Sequence, residues 1–542
     1  MNNEMAWWIV DQLVQQGVTH FCIAPGSRSM PLALAAAHHP KARIQVHYDE
    51  RGSGFYALGL AKALKSPAAL IVTSGTAVGN LLPSVMEASH SYAPLILLTA
   101  DRPPELLDAG AIQTCDQIHL FGSFVKKSLH LPTADKDISE AFVRSSVAHV
   151  TSVATDLMGP VHINWHIREG HFTPSFPALN QGEKIRFVSS RKVPSEPTSL
   201  SGRGAIAIGR LPKRSDLLPI LDLAKRLKWP VFADLMSEAR FRPTEEQIIH
   251  FDWILKKKLV SLQPEVLLHF GERLTSKAFL NIPHIPRCIH VSPFLDLQDP
   301  ARRLTERIVS DISEFCASVQ STPASTDWLN CWKEQDRRLD HLIQNHFESE
   351  SPCTESKAFR ALSRHFDPDW SLYLGSGMPI RDSNLFFFPD KISSEIQIFS
   401  NRGLIGIDGN LATAAGLSEG LKKPLVVWIG DQATLHDLNS LSLIKKANYP
   451  IFLIISNNFG GGIFSHLPIA NLESHFETLF ANAHTQEFEN AAKLFDLPYT
   501  KASSIEEFIS CWNQRPSESA VLELITSRKT NFACHQALQK FP

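Results

Sequence analysis

The strongest constraint on the fold is a pattern that runs through the chain three times. Short apolar runs, each closed by Gly, Pro, Ser, Asp or Asn, alternate with stretches long enough for a helix. In the first third the runs lie at 20–24, 44–48, 69–73, 95–99 and 161–165, with helix-length segments at 31–38, 54–64 and 78–89. Runs that are apolar throughout read as strands buried on both faces, and helices between them make the pairing parallel. The middle third repeats the pattern at 205–208, 231–233, 266–270 and 289–291, with a helix at 215–227. The last third repeats it at 372–374, 396–399, 425–429, 451–455 and 520–525. A Pro/Ser/Thr-richer stretch at 174–202 reads as a linker. A polar region at 321–356, holding an amphipathic helix at 328–347, leads into the final third. The expected fold class is α/β, with three doubly wound parallel-sheet domains at 1–175, 190–335 and 345–542. A length of 542 residues suits three domains of ~150–200 residues each. No short-period repeat is visible. In such sheets the chemistry collects at the C-terminal ends of the strands.

Composition removes several classes of function. The 53 Lys and Arg residues against 55 Asp and Glu leave a net charge of −2, which offers no basic field for nucleic acid or anionic lipid. The longest apolar runs, such as 451–455, are strand-sized and far short of a membrane span. The start, MNNEMAWWIVDQL, has neither a basic leader region nor a small-residue cleavage site. Eight cysteines stand singly, without CxxC or zinc spacing, and read as reduced. A soluble, cytoplasmic, multidomain protein is the expectation.

Two strand ends in the last third carry the most informative chemistry. Strand PLVVWI ends in Gly430-Asp431, a helix is expected at 433–446, and strand IFLIIS ends in Asn457-Asn458, followed by Phe459-Gly460-Gly461-Gly462. A right-handed crossover would set Asp431 and Asn458 side by side. A carboxylate, an amide oxygen and a glycine-loop carbonyl suit Mg²⁺, and the helix opening after Asp431 suits a diphosphate. Each piece alone reads more readily as a helix cap or a plain turn. In the first third, strand IQVHY runs into Asp49-Glu50-Arg51. Gly52, Gly54, Ala57, Gly59 and Ala61 follow, small residues that let a helix pack closely. Alone, Glu50 reads as a surface partner of Arg51 and Asp49 carries no role. The G-x-G-x-x-A spacing at 52, 54 and 57 is a weak dinucleotide signature, because Val72 stands where the ribose-binding acid belongs. No G-x-x-x-x-G-K-[ST] loop occurs.

Together, Asp431 and Asn458 resemble the thiamine-diphosphate motif, a GDG followed some 25–30 residues later by NN, with Gln432 in place of the third residue. In that chemistry a carboxylic acid is held against the aminopyrimidine N1′, and Glu50 fits that place. Further strings are CIAPGSRS (22–29), DERGSGFYALGLAKA (49–63), TADRPPEL (99–106), GAIQTCDQ (110–117) and SNRGLIGIDG (400–409). These are similar to the menaquinone-pathway 2-succinyl-5-enolpyruvyl-6-hydroxy-3-cyclohexene-1-carboxylate synthases. The resemblance covers both outer domains and is thin in the middle one, apart from GERLTSK (271–277). It implies a pyrimidine-binding domain at 1–175, a central domain at 190–335 and a diphosphate-binding domain at 345–542. It also implies thiamine diphosphate with Mg²⁺, or Mn²⁺ in its place. The implied reaction is decarboxylation of 2-oxoglutarate and conjugate addition of the remaining succinic semialdehyde unit to isochorismate. The active sites would lie between subunits of a homodimer or homotetramer, so that Glu50 and Asp431 of one site belong to different chains.

The same resemblance assigns residues. Asp431, Asn458 and the Gly460 carbonyl would hold the metal. Gly430, Ala433, Thr434, Ile463 and Glu50 would line the cofactor, with Ile407 wedged between its rings. Two dicarboxylic substrates need several cations, and guanidinium groups grip carboxylates through paired N–H donors. Ser27, Arg28, Arg102, Gln113 and Lys277 would receive isochorismate. Arg381 and Arg402 would face the distal carboxylate of 2-oxoglutarate, and Phe464 would wall the substrate space. Gly377 stands where the family usually has serine, with Ser376 one place earlier. Two other readings stay open: an acetolactate-synthase-like enzyme or simple 2-oxo-acid decarboxylase, and a non-catalytic regulatory relative that keeps the cofactor pocket. The central domain reads as scaffold.

Overall fold

The computed structural model describes residues 1–169, 176, 182–187, 198–258, 262–283, 285–348, 352–388, 393–472 and 475–540. Three parallel sheets follow one another along the chain. The first holds β1 (His20–Ile23), β2 (Arg43–Val46), β3 (Ala68–Val72), β4 (Leu95–Asp101), β5 (Ser128–Leu131) and β6 (Val161–His166), in the order β2-β1-β3-β4-β6-β5. A short strand, β7 (Ser199–Leu200), precedes the middle sheet. That sheet holds β8 (Gly204–Ile208), β9 (Val231–Ala233), β10 (Val266–Phe270), β11 (Arg287–Ser292) and β12 (Glu306–Val309), ordered β12-β11-β10-β8-β9. Strand β13 (Gln320–Ser321) pairs with β7. The last sheet holds β14 (Ser371–Leu374), β15 (Ile398–Phe399), β16 (Leu425–Gly430), β17 (Ile451–Asn457), β18 (Tyr499–Ala502) and β19 (Ala520–Ile525), ordered β15-β14-β16-β17-β19-β18. Counted from its own first strand, each outer sheet reads 2-1-3-4-6-5. The outer thirds therefore share one topology.

Besides the short pair β7 and β13, three strands of the large sheets lack a sequence signature: β5, β12 and β18. Each lies at a sheet edge and is only partly buried, so none carries the continuous apolar run that marks a central strand. Two expected helices are broken. The segment at 78–89 divides into Thr76–Gly79 and Leu82–His90, where Pro83 occupies the opening turn, the position at which its missing N–H costs nothing. The segment at 433–446 divides after His436. There Asp437 turns aside to accept the N–H groups of Leu411 (2.7 Å) and Ala412 (3.1 Å), capping the helix Asn410–Leu421. The helix expected from residue 54 begins at Glu50 instead. Asp49 caps it by accepting from the N–H groups of Arg51 and Gly52, and this is Asp49's role. The amphipathic helix runs Thr326–Glu348 and buries Trp328, Trp332, Leu339, Ile343 and Phe347 on its apolar face. Most of the expected linker at 174–202 lies outside the described residues.

The outer thirds meet directly. Helix Glu50–Leu64 crosses helix Asn410–Leu421 so closely that a Cβ on Gly59 would stand 2.1 Å from the Thr413 carbonyl oxygen, and one on Gly416 would stand 2.0 Å from the Tyr56 carbonyl oxygen. Only glycine permits backbones to approach this far. Phe55, Leu58, Leu60, Leu411 and Leu417 pack into one shared apolar cluster around the crossing.

Candidate active site

Strands β16 and β17 are neighbours, with Gly430 paired to Ser456, so Asp431 and Asn458 stand at adjoining C-terminal tips. Asp431 is buried. Its Oδ1 accepts from the Gln432 N–H (2.6 Å) and its Oδ2 from the N–H groups of Asn458 (3.2 Å) and Gly460 (2.9 Å). Burial pushes its pKa up, with these bonds and nearby His484 opposing. The His484 Nε2 lies 3.5 Å from Oδ2. The glycine loop turns through positive φ at Phe459 (60°) and Gly460 (151°), and a Cβ at 460 would meet the Ala481 carbonyl oxygen at 2.7 Å. Gln432 sits in a helical turn that needs no glycine. Its Nε2 donates to the carbonyls of Ala481 (2.8 Å) and Asn482 (3.1 Å), tying the segment behind the loop to the Asp431 turn.

Asn458 shows why the site suits a hard cation. Its Nδ2 donates to Glu355 Oε1 (2.8 Å), which also accepts from Asn531 Nδ2 (2.7 Å) and Thr526 Oγ1 (3.2 Å). Burial raises the Glu355 pKa to about 7. With its nitrogen committed, Asn458 leaves its Oδ1 buried with no partner among the described residues. An orphaned acceptor beside a carboxylate costs free energy unless something fills it. Mg²⁺, which takes oxygen ligands and keeps phosphate oxygens in its shell, fits the position. Among the described residues no group of three His, Cys, Asp or Glu side chains makes a rival metal site.

Glu50 is half-buried at the head of its helix, and its Oε2 accepts from Asn80 Nδ2 (3.2 Å). Arg51 turns away from it, donating to the His436 carbonyl (2.8 Å) and lying 4.0 Å from Asp49. The plain Glu50–Arg51 surface pair is therefore not what forms. Ile407 is 45% exposed although apolar. Its carbonyl accepts from Asn410 Nδ2 (2.7 Å), and the Asn410 Oδ1 accepts from the buried Tyr373 hydroxyl (2.7 Å). Two residues earlier Ile405 holds φ at 64°, a cost for a β-branched residue that recurs where loops serve a site. Gly430 has open space where a Cβ would be, and its carbonyl accepts from Thr434 Oγ1 (3.0 Å), with Ala433 half-buried beside it.

The expected cations fall into two groups. On the first sheet, Arg28 donates to the Ile167 carbonyl (2.9 Å) and pairs with exposed Glu169 (2.5 Å). Its pKa is lowered by burial and by Arg102 nearby. Arg102 donates to the Ile112 carbonyl (3.3 Å), Gln113 donates to the Ser74 carbonyl (3.0 Å), and Ser27 is exposed on the turn before Arg28. In the second group, Lys277, Arg381 and Ile463 line one cavity of about 330 Å³, and Phe464 follows half-buried. Arg381 folds back onto the carbonyls of Ser376 (2.6 Å) and Gly377. Arg402 has its pKa lowered to about 10 by burial and by Arg381, and its Nη1 is buried without a partner among the described residues. Lys277 thus stands with Arg381 rather than with Arg28, Arg102 and Gln113. Ser376 spends its hydroxyl on the Asn401 carbonyl (2.5 Å). The nearest atom to a Cβ at Gly377 would be Pro379 Cδ at 3.7 Å, so a serine would fit there, but its contact is missing. Glu355, His484 and the tie made by Gln432 escape sequence reasoning, because Glu355 and Asn458 lie 103 positions apart with no local pattern linking them.

Residues 3–120 match the family model described as the thiamine pyrophosphate enzyme N-terminal TPP binding domain, and residues 186–374 match its middle domain. Curated relatives named 2-succinyl-5-enolpyruvyl-6-hydroxy-3-cyclohexene-1-carboxylate synthase span nearly the whole chain. The Listeria innocua protein is 36% identical over 98% of this chain and 95% of its own length. The Chlorobium limicola protein is 34% identical over 98% and 96%, and the Chloroflexus aurantiacus protein is 36% identical over 91% and 88%.

Proposed function

The chain belongs to the 2-succinyl-5-enolpyruvyl-6-hydroxy-3-cyclohexene-1-carboxylate synthase family of thiamine-diphosphate enzymes, and from that premise we propose how its residues divide the work. The reaction is decarboxylation of 2-oxoglutarate and conjugate addition of the remaining four-carbon unit to isochorismate, a step of menaquinone biosynthesis. Thiamine diphosphate, when bound, supplies the electron sink that loss of CO₂ from a 2-oxo acid requires. Asp431, the Asn458 Oδ1 and the Gly460 carbonyl would hold Mg²⁺, which would offset the charge of a diphosphate, and Gly430, Ala433 and Thr434 at the helix opening would receive the cofactor. Glu50 keeps one carboxyl oxygen on Asn80 and offers the other as the proton-bearing group toward the cofactor's pyrimidine. Ile407 is the apolar wedge, and Ile463 and Phe464 exclude water from the reacting carbon.

Arg402 and Arg381 receive the distal carboxylate of 2-oxoglutarate. Ser27, Arg28, Arg102, Gln113 and Lys277 receive isochorismate. Arg28 then exchanges its Glu169 partner for a substrate carboxylate: the exposed Glu169 returns to water while the buried guanidinium keeps an anion. Because Lys277 belongs to the second group of cations, one isochorismate site draws on two chains, and a homodimer is the least assembly that completes it. The protein works in the cytoplasm. Among the described residues no helix is long and apolar enough to cross a membrane.

The observation that carries this reading is Arg402. It is a half-buried arginine whose Nη1 is buried without a partner among the described residues, set at a strand end of the sheet that also presents Asp431 and Asn458. A simple decarboxylase of a monocarboxylic acid has no use for it. The test is incubation with thiamine diphosphate, Mg²⁺ and 2-oxoglutarate, with and without isochorismate, and product identification by mass. An adduct that requires isochorismate supports the reading. CO₂ and free aldehyde alone indicate a decarboxylase, and absence of turnover indicates a binding protein.

A further inference from the structure

Arg402 stands in a loop without regular structure, so something else must hold its backbone in place. Three elements do. The two carboxylate oxygens of Glu87, in the helix Leu82–His90, accept from the N–H groups of Gly403 (2.9 Å) and Leu404 (2.7 Å). Arg273 of the middle third donates to the carbonyls of Arg402 (2.6 Å) and Gly403 (2.9 Å). Lys62, near the end of the helix that Glu50 begins, donates to Asn401 Oδ1 (2.7 Å) and the Ser400 carbonyl (3.4 Å), and it pairs with Glu87 at 3.4 Å. A Cβ on Gly403 would lie 2.8 Å from both the Glu87 carbonyl and its Oε2, so glycine is what allows this approach. Glu87 and Lys62 are both buried. A buried ion pair is a poor source of net stability, and its placement here is explained by the loop it grips. Both polar groups of the Arg402–Gly403 peptide, and both of the Gly403–Leu404 peptide, are thereby held, while the guanidinium keeps Nη1 without a partner among the described residues.

We propose that Glu87, assisted by Lys62, is the positioning residue for Arg402: it sets where the guanidinium stands when a dicarboxylic donor arrives. The inference rests on the reading of Arg402 as the receiver of that distal carboxylate. Glu87 touches neither substrate nor cofactor and acts only through the loop.

The test uses the full-length protein with Glu87→Gln and with the double variant Glu87→Gln/Lys62→Met, which leaves no unpaired buried charge if the single variant folds poorly. Binding of glutarate, a dicarboxylate that cannot react, is measured by calorimetry beside steady-state kinetics. The expected result is a rise of about tenfold or more in the 2-oxoglutarate KM and the glutarate Kd, since misplacement by ~1 Å weakens such contacts strongly. The isochorismate KM and the thiamine diphosphate affinity should hold within about twofold. Unchanged glutarate binding, or a uniform fall in every parameter, would overturn the proposal. A wild-type protein that binds glutarate without turning over 2-oxoglutarate, and loses that binding in the variants, would overturn the proposed reaction and leave the role of Glu87 supported.

Discussion

Replacing Gly59 with alanine tests whether the crossing of the two helices, one from each outer third, aligns the catalytic groups. The added Cβ would stand 2.1 Å from the Thr413 carbonyl oxygen and 2.8 Å from the Leu417 nitrogen, where 3.0 Å is the floor. Both obstacles are backbone, so the helices must part by 3.0 − 2.1 = 0.9 Å at this point. Overpacking of this kind costs about 1–3 kcal/mol, against which alanine's helix preference returns about 1 kcal/mol. The net is a loss of about 0–2 kcal/mol. The larger effect falls on function, because Glu50 begins the same helix. A shift approaching 1 Å at a group that must meet the cofactor lowers turnover by up to ~10²-fold. Gly79→Ala is the control: it is also helical, but nothing lies within 4 Å of the added Cβ, so it should stabilise by about 0.5–1 kcal/mol. Thermal unfolding followed by circular dichroism and turnover under saturating cofactor and substrates would be read for both. If Gly59→Ala matches Gly79→Ala in stability and turnover, the argument from the crossing is wrong.

Three further outcomes are expected. Glu50→Gln should bind thiamine diphosphate within about threefold of wild type while turnover falls at least ~10²-fold; unchanged turnover removes Glu50 from its role. Asp431→Asn keeps the volume but not the charge, and should weaken Mg²⁺-dependent cofactor binding at least tenfold, about 1.4 kcal/mol; titration at several Mg²⁺ concentrations would expose an unaltered affinity. Burial lowers the pKa values of His162 and His290 to about 3 and of His269 to about 4. Above pH 6.5 these histidines are neutral in both states. As pH falls below 6.5 the unfolded chain takes up protons that the native state refuses, so each costs about 1.4 kcal/mol per pH unit down to its folded value. The urea midpoint should therefore drop steeply between pH 6.5 and 4, less so in His290→Asn, and a flat profile would contradict the burial argument.

Where the legible signal was strong, it came from local chemistry. Strands at 231–233, 266–270 and 520–525 coincide with β9, β10 and β19, because a strand buried on both faces must be apolar throughout. The adjacency of Asp431 and Asn458 was legible for a related reason: successive parallel strands joined by a short crossover are neighbours, and the register pairs Gly430 with Ser456. The break at Asp437 was not legible, since its carboxylate answers to N–H groups at 411 and 412 and not to its own helix.

The order of residues by itself determined the parallel α/β class, the strand-end placement of Glu50, Asp431, Asn458 and Arg402, and the family. These depend on apolar runs, glycines and polar tips that are close neighbours along the chain. Only the tertiary structure decided that Glu355 turns the Asn458 amide so that its oxygen is left open. It also decided that Glu87 grips the Arg402 loop, that Gln432 replaces a glycine by tying down 481–482, and that both outer sheets have one topology. The physical reason is common to all four. A hydrogen bond or a strand edge is satisfied by whatever lies within about 3–5 Å in space, and in a chain of successive parallel sheets those partners come from segments far apart in sequence.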